Sequence, residues 1–140
     1  MSAALTQIER KRFMDIIANI DLEIFKCISS DITTSEVIMT DERIAHVKER
    51  HPDDYEVFFG YIRESLEEPD YIIEANKPKS GVVVKEIQDE NGQYIKTLLR
   101  VHTSDDEDAE YKNSVITFHK LREKEWNRLI NNKKILYKRE

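Results

Sequence analysis

Residues that usually carry chemistry are scarce in this 140-residue chain: it has one cysteine, three glycines and three prolines. Cys27, standing alone, can form no intramolecular disulfide and no cysteine-based zinc site, and it reads as a small buried hydrophobe. No apolar run approaches the roughly 20 residues of a membrane span, and the stretch from Met1 to Arg10 lacks the apolar core of a signal peptide. An intracellular, soluble protein with no membrane contact is expected. Positive charge is outweighed as well, with 22 Lys and Arg against 28 Asp and Glu. At a net charge of −6 the chain exerts no general attraction on nucleic acid, so any phosphate-binding surface has to be a local basic patch.

What is present is periodic. Hydrophobic residues make up 39% and charged residues 36%, and the apolar positions recur at regular spacings, which predicts one folded domain over residues 1–140. Leu5, Ile8, Phe13, Ile16, Ile17 and Ile20 predict an amphipathic, accessory helix over residues 3–19. Asp21 to Ile28 and Val37 to Met39 read as two strands of a hairpin. Thr40 is a helix N-cap with Asp41 and Glu42 in the first turn, and that helix runs to about Arg50. His51 precedes Pro52 and falls at a corner, because the residue before proline is driven out of the helical region. A second helix opens at Pro52 and places Tyr55, Phe58, Phe59, Ile62 and Leu66 on one face.

Further strands follow at Tyr71–Ile73, Val82–Ile87, Tyr94–Val101 and Asn113–Phe118, then a helix over about Leu121–Asn132 and a tail that reads as a short edge strand or a crossing segment. Asn91-Gly92 signals a two-residue hairpin. That register sets Val84 opposite Leu99 and Val82 opposite Val101 on a core face. The other face then carries Lys85 and Arg100 as diagonal neighbours roughly 7–8 Å apart, an invitation to an anion. The fold class is α+β: a small, mostly antiparallel sheet with N-terminal helices packed on one face, a C-terminal helix, and the opposite face left for function.

His46 and His51 are the first candidates for chemistry. Zinc-binding helices space their histidines at i and i+4, whereas these stand at i and i+5 with no third ligand nearby, so no metal and no cofactor are expected. General acid and base work is the other chemical reading, with Lys85 or Arg100 stabilising charge on a phosphate and an RNA 2′-hydroxyl as internal nucleophile. Each residue has a plain alternative. His46 is a surface histidine on a charged helix, His51 a corner residue, and Lys85 and Arg100 sheet cations paired with nearby acids. Ser114 and Thr117 point to opposite faces of a regular strand, so both reach one pocket only across a bulge. The acidic run from Ser104 to Glu110 reads as a solvated loop.

Several stretches, in this order, carry a resemblance: Thr40 to His46 running on to Arg50-His51-Pro52, Pro69-Asp70-Tyr71-Ile72, Asn76-Lys77-Pro78, and Val83-Val84-Lys85-Glu86. Leu98-Leu99-Arg100, Tyr111 to Phe118 and Asn132 to Tyr137 continue it. From about Val37 onward the chain resembles a phage-associated nuclease-like family, the phage members of the barnase, EndoU, colicin and RelE group. The resemblance implies a metal-independent ribonuclease with RNA as substrate, cytoplasmic in a bacterial or phage-infected cell, and toxin-like, with an immunity or antitoxin protein as a partner. By position it implies acid/base roles for His46 and His51, phosphate contacts for Lys85 and Arg100, and positioning of the scissile group by Ser114 or Thr117. A non-catalytic phage or mobile-element module that docks RNA or a protein on its basic face is the alternative.

Overall fold

Along β5 (Tyr94–Arg100) burial alternates without a break: Ile95, Thr97 and Leu99 are buried, while Tyr94, Lys96, Leu98 and Arg100 are half-exposed. A period of two is the signature of a strand with one face on a core. The computed structural model describes residues 16–87, 93–107 and 112–140. Among them a seven-stranded sheet runs in the order β1 (Ile16–Asn19), β2 (Glu36–Ile38), β6 (Asn113–Leu121), β5, β4 (Ser80–Glu86), β3 (Tyr71–Glu74), β7 (Ile135–Lys138). Every neighbouring pair is antiparallel except β2 with β6. The class is α+β, and the tail is an edge strand.

Helix α1 (Leu22–Phe25) is one turn, capped by the Asp21 side chain. Then come α2 (Asp41–Arg50), α3 (Pro52–Phe58), a 3-10 turn (Phe59–Tyr61) and α4 (Ile62–Glu67), with α5 (Glu123–Asn132) before β7. Phe58, Ile62 and Leu66 bury the face anticipated for them, with Tyr55 and Phe59 packed at its margin. They meet Val47, Val83, Ile95, Leu99 and Phe118 in the main core. Phe118 is fully buried and lies 6.0 Å from Tyr55 and 6.2 Å from Phe59 between ring centroids. Burying a side chain of that size contributes about 2–3 kcal/mol and holds β6 against α3.

Four expectations are corrected. Residues 16–19 of the anticipated N-terminal helix are strand β1, and the remainder of that helix lies outside the described residues. Residues 22–25 are helical where a strand was expected, so β2 takes β1 as its hairpin partner instead.

The β4–β5 register is the third. Gly81, not Val84, faces Leu99, and Val84 faces Lys96. The Ile87 N–H donates to the Gln93 carbonyl at 2.6 Å, so residues 88–92 separate the last pair; Asn91 and Gly92 themselves lie outside the described residues. A shift of three positions is odd and therefore swaps faces. Its physical reason is burial: this register puts Val83, Ile87, Ile95 and Leu99 together in the main core, and each is worth about 1.5–3 kcal/mol, more than a local turn preference.

The fourth concerns the second face, which is not left open as a whole. Trp126 and Leu129 of α5 pack there on Ile73, Val82, Val84 and Leu121. Only the part over β5 and β6 remains half-exposed.

Candidate active site

The Thr40 hydroxyl accepts from the Arg43 N–H at 3.2 Å and starts α2, with Asp41 and Glu42 in its first turn. Pro52 ends it. His51 sits between the two helices at φ −139° and ψ 61°, its N–H bonded to Val47 O (2.7 Å) and its carbonyl accepting from the Tyr55 N–H (2.9 Å). Both sides of the corner are thereby fixed. Beyond Ser114, β2 no longer pairs with β6, which leaves an open strand edge. Asp54 of α3 satisfies part of it by accepting the Lys120 N–H at 3.1 Å. That contact brings the corner onto the strand, and the rings of His51 and His119 stack with centroids 4.8 Å apart and planes 25° from parallel.

The His51 imidazole titrates below its ordinary value: burial disfavours its charged form, the neighbouring His119 adds to this, and Asp54 opposes it. His119 Nδ1 lies 2.9 Å from the Lys120 carbonyl. A carbonyl only accepts, so Nδ1 carries a hydrogen and Nε2 is left to exchange a proton.

Directly paired residues of antiparallel strands share a face. Lys96 pairs with His119, Leu98 with Thr117 and Arg100 with Ser114. The register shifts between Leu98 and Leu99, where Ile116 is skipped, and this bulge turns both Ser114 and Thr117 to the histidine side. Successive pairs on that face are about 7 Å apart, so Arg100 lies about 14 Å along the strands from Lys96. Both cations are held by acids from flanking segments. Lys96 Nζ meets Glu125 at 2.9 Å, and Arg100 Nη2 meets Asp106 at 2.8 Å.

The acidic run is thus more than a solvated loop at residues 103–107. Asp106 also accepts the Thr103 N–H at 2.8 Å and lies 3.6 Å from Lys79 Nζ, and the Arg100 guanidinium holds its carboxyl well below the usual carboxylate range. Residues 108–110, like Tyr111, lie outside the described part.

Lys85 is elsewhere. It pairs with Ile95, on the opposite face from Arg100, so the two are not diagonal neighbours. Its side chain is 7% exposed, and Nζ donates to Glu68 O at the end of α4 (2.7 Å) and lies 3.8 Å from Asp70. His46 is exposed on α2, close enough to depress His51 slightly. His102 is buried against the Thr33 hydroxyl (2.7 Å), with its N–H on Asn113 Oδ1. His119 and Lys96 are the residues that sequence reasoning passed over. The signal for His119 was its two-residue spacing from Thr117 in one strand.

An imidazole pair at the rim of a sheet face bearing two cations and two hydroxyls is equipment for moving protons on an anionic substrate. The chain belongs to the phage-Barnase-EndoU-ColicinE5/D-RelE like nuclease2 family, whose match spans residues 7–138, nearly the whole length and well before Val37. It is accordingly a nuclease-family protein, with nucleic acid as its substrate class. No curated protein and no solved structure matches the chain. Among the described residues no helix is long and apolar enough to cross a membrane.

Proposed function

We propose that the protein is an endoribonuclease that cleaves RNA by attack of the 2′-hydroxyl on the adjacent phosphorus, without a metal ion. The observation that carries this is the His51–His119 pair at 4.8 Å beside Lys96 and Thr117. Two imidazoles so close disfavour a second proton, and in its singly protonated form the pair supplies one base and one acid.

His51, lowered by burial, is the base. It takes the 2′-hydroxyl proton as the oxygen bonds to phosphorus. His119 protonates the leaving 5′-oxygen from Nε2 as the P–O5′ bond breaks, which yields a 2′,3′-cyclic phosphate and a 5′-hydroxyl. Lys96 and the Thr117 hydroxyl stabilise the charge that builds on the phosphoryl oxygens, and Arg100 with Ser114 holds a phosphate about two nucleotides farther along the strand. In this reading Lys85 is a structural cation, and His46 tunes the corner rather than touching the substrate.

Single-stranded RNA and its all-deoxy analogue, incubated with the protein in EDTA, test the proposal. RNA alone should be cut, to cyclic-phosphate ends, with the rate down by about 100-fold or more in His119→Ala and His51→Ala. Cleavage of the deoxy strand, or activity that disappears only in EDTA, would overturn the mechanism. RNA binding with no cleavage would make the same face a docking module.

A further inference from the structure

The half-exposed face does not end at His119. One pair farther along, Tyr94 faces Leu121, and there a cleft of about 640 Å³ opens, lined by Gln93, Tyr94, Lys120, Arg122, Glu123 and Trp126, with Leu121 as its apolar base. On the pairing, the cleft begins about 7 Å from the histidines, within one nucleotide of the reacting phosphate.

Its lining combines two kinds of surface. Trp126 is half-buried, nearly parallel to Tyr94 (5.8 Å between centroids, 9° between planes) and tilted against Tyr71 at 5.0 Å. These contacts hold the indole in place before any ligand arrives. Beside it stand the exposed residues Arg122 and Glu123, whereas Lys120 pairs with Ile95, so that its side chain belongs to the opposite face. A fixed aromatic platform beside a guanidinium fits one nucleotide of a single strand, its base on the ring and its phosphate on Arg122.

We propose that this cleft is the nucleotide subsite next to the scissile phosphate, with the base stacked on Trp126 and its flanking phosphate held by Arg122. Glu123, which is exposed, is the group able to read the edge of the base. This inference rests on the ribonuclease reading for the identity of the ligand, and its test separates the two.

Trp126 is the only tryptophan in the chain, so its emission reports on the cleft alone. The probe is a 2′-O-methyl uridine hexamer, which lacks the attacking hydroxyl, titrated into the full chain while cleavage of the corresponding RNA is measured in parallel. Saturable quenching of Trp126 is expected, weaker with an abasic hexamer. Arg122→Ala, an exposed position, should raise KM several-fold with kcat nearly unchanged. Trp126→Leu should raise KM about tenfold, in keeping with the loss of one stacked base. Cleavage with no quenching and with an unchanged KM in Arg122→Ala overturns the subsite and leaves the ribonuclease reading standing. Quenching without cleavage supports the subsite and overturns the catalytic reading. Absence of both overturns both.

Discussion

At the residue scale, the two buried or half-buried basic groups have opposite duties. His51 has its proton affinity lowered, so in the unfolded chain it binds a proton first, near the ordinary histidine value of about 6.5. Its contribution to stability is complete above that pH and is lost as pH falls toward the folded value. The acid limb of kcat/KM should therefore lie below about pH 6.5, and the drop in melting temperature between about pH 7.5 and about pH 5 should shrink in His51→Gln. An acid limb above pH 6.5 would contradict the base assignment. Lys85, by contrast, is buried and donates to the last carbonyl of the α4 region, where a cation also suits the helix dipole. Lys85→Met should cost about 2 kcal/mol in a denaturant titration while the activity of the folded fraction is retained. A selective loss of kcat at unchanged stability would return Lys85 to the phosphate.

At the scale of elements, the site depends on α3 being fastened to the open edge of β6. Asp54 does this with its bond to the Lys120 N–H, and its charge simultaneously raises the His51 value against the effect of burial. Asp54→Asn should move the acid limb to still lower pH, whereas Asp54→Ala should in addition free the corner and reduce kcat; pH–rate profiles of the two variants separate charge from position. Initiation of α2 matters in a different way. Thr40→Ala removes one N-cap bond and should lower stability by about 1 kcal/mol in thermal melts, with His51 still held by Pro52 and the Tyr55 bond.

At the scale of the whole molecule, the proposed reading has an acidic protein meeting a polyanion through a small basic face. Its affinity for single-stranded RNA should depend only modestly on salt. With two to three phosphate contacts from Lys96, Arg100 and Arg122, log K should fall against log salt with a slope of about −1.4 to −2.1. A much steeper slope would mean that binding uses a broader surface than this face.

Local chemistry in the sequence determined a good deal by itself. Thr40 and Pro52 bound α2 and place the His51 corner, because capping and the proline ring act over one or two residues. The stripe from Tyr55 to Leu66 marked the core, since burial follows a helical period that any chain displays. The α+β class followed from the order of those periods. Facing, pairing and neighbourhood were decided only in three dimensions. Whether Lys85 lies beside Arg100 or on the opposite face turned on a three-residue shift, and the choice was made by burying Val83, Ile87 and Leu99 together rather than by the turn residues. Likewise the bulge at Ile116 turned Ser114 and Thr117 to one side, and the open edge of β6 drew in α3 and brought His51 onto His119, 68 positions away. Contacts across such separations depend on the packing of the whole chain, which no local spacing encodes.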